Sequence, residues 1–298
     1  MDAIETRGLT KRYGRTLALD ALDLRVARGE VYGYLGPNGA GKTTTIRLLL
    51  GLHRPTTGSA SLFGIDAWRD PVAAHRRVAY VAGEPTLWPE LTSAETFAYL
   101  ARLHGSTDRV YLDELVDRFR VDPDKKVRAL SKGNRQKIQL VAAFASRADL
   151  LILDEPTSGL DPLMEMAFRQ TVADGKERGQ TVFLSSHVLS EVEAVCDRVG
   201  ILRRGRLVDE GTLAELRHLD TQTWEIDFAG EPPELSRVPG IHNVERNGST
   251  LHVEVAGSPG ALLAALAGTH VLAVRTREPS LEEIFLHHYD GADGAPSV

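Results

Sequence analysis

The residue types best suited to chemistry fall in two short segments. Gly36, Pro37, Asn38, Gly39, Ala40, Gly41, Lys42 and Thr43 match the spacing G-x-x-x-x-G-K-[ST]. Glycines in such a run let backbone N–H groups turn inward around phosphate oxygens, and a helix starting at its end adds a favourable dipole. The Lys42 ammonium can then reach the β- and γ-phosphates of a nucleotide, and the Thr43 hydroxyl is placed to ligate magnesium. The second segment is the carboxylate pair Asp154 and Glu155, which follows the apolar run LLIL. The first carboxylate can hold magnesium, directly or through water, while the second orients and deprotonates an attacking water. Pro156 turns the chain at this point, so the adjacent carboxylates can take different roles.

Both segments need a scaffold of strands and helices. VYGYL before the glycine-rich run reads as a strand and TIRLLLGL after it as a helix, the context that gives the spacing its meaning. Residues 3–35 read as strands broken by Gly14 and Gly29, and a short helix is expected within 66–78, followed by the strand VAYVA. From residue 91 to about 130 the apolar period turns helical, in SAETFAYLARLHG with a Ser or Thr cap and in YLDELVDRFRV. Helix NRQKIQLVAAFAS, strand DLLILDEP, helix LMEMAFRQTVADGKERG, strand TVFLSS and helix VLSEVEAVCDR follow, an alternation that implies a largely parallel sheet covered by helices. The pattern then changes. TWEIDFA and TLHVEVAG alternate as half-buried strands with NGS as a hairpin turn, GALLAALAG reads as a short helix, VLAVRTREP as a strand and SLEEIFLHHY as a terminal helix before a frayed tail.

Composition narrows the class. Of the 298 residues, 42% are apolar and 26% charged, enough to bury a sizeable core, and the run around Leu140 to Ala145 is far shorter than the roughly 20 residues that span a bilayer. The start MDAIETRG lacks a basic segment followed by an apolar one, so a cytoplasmic location is expected. Cys196 is the single cysteine, which excludes an internal disulfide and a multi-cysteine metal site and leaves a small buried apolar residue. A net charge of −6 speaks against a general polyanion surface, and no nucleic acid is expected as a partner. His287 and His288 read as an exposed helix end rather than a metal site.

The ordered set GPNGAGKT, LSKGNRQK at 130–137, LILDEP, SGLD at 158–161 and SSH ending at His187 resembles the nucleotide-binding domains of ATP-binding cassette (ABC) transporters over roughly residues 3–216. The resemblance implies an α/β fold: a P-loop NTPase core with a mainly parallel sheet, antiparallel N-terminal strands and a helical subdomain at about 84–147. Residues 1–219 would form this domain and 220–298 a small α+β accessory domain. It further implies a head-to-tail pair of cassettes, the second copy identical or related, that sandwiches ATP and Mg2+. Residues from Gly36 to Thr44, including Thr44 itself, would hold the nucleotide, with Tyr13 stacking on adenine. Ser131 and Gly133 would face the γ-phosphate bound to the partner subunit, and Asp161 would communicate across the interface. Glu155, His187 and Lys42 would be catalytic, and Thr43 and Asp154 would serve the metal. One departure stands out: Gly83 occupies the position where the family usually has Gln. Trp88 borders the region where the family receives a cytoplasmic helix of the membrane subunit.

The single cassette, the small C-terminal appendage and the segments YVAGEPTLWPELT and LSKGNRQK are similar to ATP-binding subunits of ABC-2 type exporters, in particular the daunorubicin-resistance and antibiotic-efflux branch. The implied function is an ATP-hydrolysing motor on the cytoplasmic side of the membrane that drives efflux through a separate ABC-2 type permease. An importer motor shares the same chemistry. A non-transport ATPase of translation or DNA maintenance would usually carry a second cassette, a long coiled coil or metal-binding inserts.

Overall fold

A computed structural model describes residues 2–277 other than 106, 220, 221 and 256. The expected terminal helix, with His287 and His288, and the tail lie outside the described residues. The chain divides into two compact units, Met1–Glu210 and Gly211–Val298, where sequence reasoning drew the line after residue 219.

In the first unit, strands β1 (Ile4–Tyr13), β2 (Thr16–Val26), β4 (Thr57–Leu62) and β5 (Ile65–Asp66) form a sheet in the order β2-β1-β4-β5, antiparallel throughout. A second sheet runs β10-β9-β3-β8-β7-β6, from β3 (Val31–Leu35), β6 (Val78–Val81), β7 (Leu150–Asp154), β8 (Thr181–Ser186), β9 (Arg198–Arg203) and β10 (Arg206–Thr212). From β9 to β6 its neighbours pair in parallel. Every residue of β3, β7 and β8 is buried, which is why these strands read as continuous apolar runs rather than alternating ones. Their register sets Leu35 opposite Ser186 and Asp154 opposite Ser185, so the chemically equipped segments meet at the carboxyl ends of adjacent strands.

Helices α1 (Lys42–Leu49), α2 (Pro71–His75), α3 (Ser93–His104), α4 (Arg109–Arg118), α5 (Lys132–Ala145), α6 (Pro162–Glu177) and α7 (Leu189–Glu193) belong to the same unit. A capping box starts α3: Thr92 accepts from the Glu95 N–H and Glu95 accepts from the Thr92 N–H. Arg118 on α4 donates to Asp174 and Thr171 on α6, joining the helical segment to the sheet-covering helices.

Several elements depart from expectation. The helix expected within 66–78 shrinks to α2, because the Asp66 carboxylate accepts from the Trp68 and Arg69 N–H groups in a local turn and Asp70 caps the helix later. The last helix before β9 ends early: Asp197 bonds the start of β3 in both directions and draws the chain into the sheet. Strands β4, β5, β9 and β10 were not anticipated. Arg203 to Arg206 hide the β9–β10 hairpin behind charge, although Arg204 at φ +48° and Gly205 at φ +80° make the two-residue turn that twisted strands favour. Cys196 is buried as expected; its Sγ would lie 2.9 Å from a Cβ at Gly33, and burial, with Asp197 nearby, pushes its thiol far up.

The second unit, which starts at the last two residues of β10, holds helix α8 (Leu213–Leu219) and an antiparallel sheet, β12-β13-β11-β14, from β11 (Gln222–Phe228), β12 (Ile241–Asn247), β13 (Thr250–Val255) and β14 (Val271–Arg277). The expected NGS turn joins β12 to β13 through Gly248 at φ +63°. Trp224, Ile226, Phe228, Leu251 and Val253 pack with Leu262 and Leu266 of helix α9 (Gly260–Leu266). β12 escaped sequence reasoning because most of its residues are exposed and polar. Among the described residues no helix is long and apolar enough to cross a membrane.

Candidate functional site

Between β3 and α1 the chain forms the loop that the glycine spacing predicts. Gly39 and Gly41 take φ of +82° and +117°, and Gly41 is the N-cap of α1 in left-handed conformation. Two glycines are also needed for close approach. A Cβ at Gly36 would stand 2.6 Å from the Leu202 carbonyl oxygen, and one at Gly41 2.8 Å from that of Ala18. The β9–β10 turn closes the back of the loop: the Gly205 N–H donates to the Ala40 carbonyl (2.9 Å) and the Gly205 carbonyl accepts from Asp20. Pro37 is half-buried, Asn38 exposed and Thr44 half-buried on the first turn of α1. Lys42 folds back over the loop, donating to the carbonyls of Gly36 (2.5 Å) and Pro37 (3.2 Å). Burial holds its ammonium below the ordinary lysine range, against the opposing pull of Glu155 and Asp154.

The carboxylates part as their positions require. Asp154 is 6% exposed; one oxygen accepts from the Ser185 hydroxyl (2.5 Å) and the other from the Thr43 hydroxyl (3.2 Å). Glu155 sits at φ +47°, a left-handed conformation rare for a residue with a side chain. It turns to meet His187 Nδ1 at 3.0 Å and Lys42 Nζ at 3.8 Å from its Oε1, while its N–H donates to the Ser185 carbonyl. Phosphate loop, base candidate and histidine therefore share one site.

A model of the family described as "ABC transporter" matches residues 19–158, and one described as "ATP-binding protein DrrA1-3-like, C-terminal domain" matches residues 211–289. The chain is 34% identical over 293 residues to the bacitracin transport ATP-binding protein BcrA of Bacillus licheniformis, covering 95% of this chain and 96% of that one. The chain belongs to the ABC transporter ATP-binding proteins. It is also 36% identical to the daunorubicin resistance ATP-binding protein DrrA3 of Streptomyces coeruleorubidus, over 96% of this chain and 95% of that protein. A solved ATP-binding subunit of an ABC transporter superposes with a TM-score of 0.69 at 34% identity, covering 72% of this chain and 92% of its own. A dimeric bacterial ABC cassette, at 24% identity and a TM-score of 0.64, shares the fold. This chain is accordingly an ATP-binding, ATP-hydrolysing subunit of an ABC transporter.

The other residues expected to join the site are held by contacts of their own. Ser131 caps α5 by accepting from the Asn134 N–H, and Gly133 packs on the SGLD segment so tightly that a Cβ would stand 2.1 Å from the Gly159 carbonyl oxygen. Lys132 donates to Ser158, and Asp161 caps α6. Tyr13, at the end of β1, is 41% exposed and bonds His53. Gly83 stands beside the carboxylates: a Cβ there would lie 3.1 Å from the Asp154 carbonyl oxygen and 3.7 Å from Glu155 Cβ.

Sequence reasoning missed Ser185 as the partner of Asp154, and Gln139, whose Oε1 accepts from the Ala82 N–H one residue before Gly83. Ser185 could have been found by aligning TVFLSS with LLILD as neighbouring parallel strands; Gln139 had no sequence signal. Burial, and then Asp154, push the nearby Tyr80 phenol up to about 12.

Giving residue 83 a side chain by Gly83→Gln tests whether this position reaches the region where Thr43 and Asp154 are expected to hold magnesium. The neighbours must give by only a few tenths of an ångström, so the fold should hold. The magnesium concentration for half-maximal ATP turnover is expected to fall about fivefold, the equivalent of one net hydrogen bond. A titration identical to that of the unsubstituted protein would place residue 83 outside that region.

Proposed function

We propose that this ABC ATPase is the motor of an exporter. Two cassettes, a second copy of this chain or a related one, close head to tail on ATP, and a separate ABC-2 type permease carries the exported compound, with the motor bound at the cytoplasmic face of the membrane. The observation that carries this reading is the pairing of the cassette with a DrrA1-3-like C-terminal domain, over the same length as proteins of bacitracin transport and daunorubicin resistance. A compound of the antibiotic or drug class is the corresponding cargo.

Within this reading, backbone N–H groups of Gly36 to Thr44 and the Lys42 ammonium bind the phosphates. Glu155 accepts a proton from the attacking water, and His187 bridges it to the γ-phosphate. Ser131 and Gly133, at the start of α5, bring N–H donors to the nucleotide of the other cassette, and Asp161 lies at that interface. Magnesium fits the donors present. Asp154 is a buried carboxylate whose two oxygens meet hydroxyl groups, with no ion pair among the described residues, and hard oxygen ligands of this kind suit a cation that keeps several waters. Thr43 and Asp154 would hold it, and when bound it neutralises charge on the phosphates.

The permease has a surface to meet. Trp88, 42% exposed, packs edge-on against Tyr99 with ring centroids 4.5 Å apart, beside a groove lined by Tyr80, Leu87 and Gln139. Leu52, Val72 and Leu103, all more than half exposed, line a second groove that also includes Tyr80. Exposed aromatic anchors over small apolar grooves suit a helix from a membrane partner. Tagged Glu155→Gln protein, held in the ATP-bound state, is expected to recover a multi-span protein from gently solubilised native membranes, whereas Lys42→Ala is not. Adding Trp88→Ala should weaken that recovery about tenfold. Recovery of ribosomal or DNA-bound proteins alone would overturn the exporter reading.

A further inference from the structure

We propose that His53 and Lys11 are positioning residues that hold the Tyr13 ring as a one-sided stacking platform for the nucleotide base. The proposal rests on the reading that Tyr13 receives the base. Tyr13 ends β1 at a tight turn to β2, with Thr16 as its strand partner and Gly14 at φ +56°. An exposed ring at such a turn, left to itself, samples several rotamers, and each ring frozen on binding subtracts from affinity.

Here the ring is already constrained on two sides. Its hydroxyl lies 2.5 Å from His53 Nδ1, and the two rings meet edge to face at 76° with centroids 5.7 Å apart. The Lys11 ammonium sits 4.8 Å from the Tyr13 ring centroid, itself anchored on the Arg54 carbonyl at 2.8 Å. One face is therefore taken by a cation, and stacking is left to the other.

The holders are themselves fixed. The N–H groups of Leu52 and His53 donate to the Arg47 carbonyl in α1, which seats His53 on the end of the helix that begins at Lys42. The same segment is laced to β1: the Thr56 N–H donates to the Thr10 carbonyl and the Arg12 N–H to the Thr56 hydroxyl. A single helix thus carries the phosphate-binding lysine at one end and, just past the other, the group that orients the base platform.

The test compares ligands with and without a base on the full chain, by calorimetric titration of ADP and of inorganic pyrophosphate at fixed magnesium. Tyr13→Phe, His53→Ala and Lys11→Ala should each weaken ADP about three- to tenfold, the range an oriented aromatic contact contributes, and leave pyrophosphate unchanged. Tyr13→Phe with His53→Ala should cost no more than either alone, because both remove one contact. His53→Gln, which keeps an acceptor, should restore binding. Tyr13→Ala separates the proposal from the reading beneath it. If it weakens ADP selectively while His53→Ala does not, positioning is overturned and stacking stands. If Tyr13→Ala leaves ADP untouched, both fall. Equal losses for ADP and pyrophosphate in His53→Ala would mean a damaged helix end and would also overturn the proposal.

Discussion

Glu155→Gln is expected to lower ATP turnover by about two to four powers of ten, the range for loss of a general base, while ATP still binds. Gln keeps the size of the side chain and its contact with His187 at 3.0 Å, but it cannot take a proton. The backbone at this residue is held left-handed by a bond from its own N–H to the Ser185 carbonyl, and a same-sized replacement leaves that arrangement alone. Phosphate release at saturating ATP, with nucleotide affinity measured in parallel, checks both halves. Turnover within tenfold of the unsubstituted enzyme would remove Glu155 as the base and shift attention to His187.

Gly133→Ala should be nearly as damaging for a different reason. A Cβ there would meet backbone, with the Gly159 carbonyl oxygen at 2.1 Å and its carbon at 3.1 Å, so no side chain can swing aside. Either α5 or the SGLD segment must move. Ser158 in that segment receives the Lys132 ammonium and donates its own N–H to the Glu155 carbonyl, so displacement reaches the residue proposed as the base. Overpacking of this kind costs about 1–3 kcal/mol, which lowers the melting temperature by roughly 2–12 °C for a domain of this size, and turnover should fall at least about tenfold with it. Gly230→Ala, where a Cβ meets nothing within 4 Å, is the control and should change neither. If Gly133→Ala matched that control in melting and turnover, the tight seat of α5 would carry no functional weight.

What could be read in the chain beforehand follows a physical division. Local signals were sufficient for the phosphate loop, because glycine spacing, an apolar strand and a helix start all act within a few residues. They were sufficient for β3, β7 and β8 as strands, and for a Ser or Thr cap at the start of α3, which Thr92 supplies. Contacts that depend on which strands become neighbours were out of reach. Ser185 opposes Asp154 only because β8 lies beside β7, and Gly205 supports Ala40 only because β9 lies beside β3. His53 meets Tyr13 only after the segment following α1 is laced to β1. The weakly apolar strands β4 and β12 failed for another reason: few of their residues are buried, because other members of their sheets supply the burial, so their own sequences carry little alternation. Gly83 was legible as a departure, and its place beside Asp154 gives that departure a location.

The close seat of Cys196 against β3 has a practical side. The chain holds one cysteine, it is 8% exposed, and its thiol stays protonated at neutral pH because burial penalises the thiolate, the form that reacts. The native protein is thus expected to react little with thiol reagents, which a thiol titration of the folded chain checks. A cysteine placed on any exposed position becomes the one site that takes a spin label or fluorophore, and distances between two labelled copies can be read without first removing a native residue from beneath the sheet.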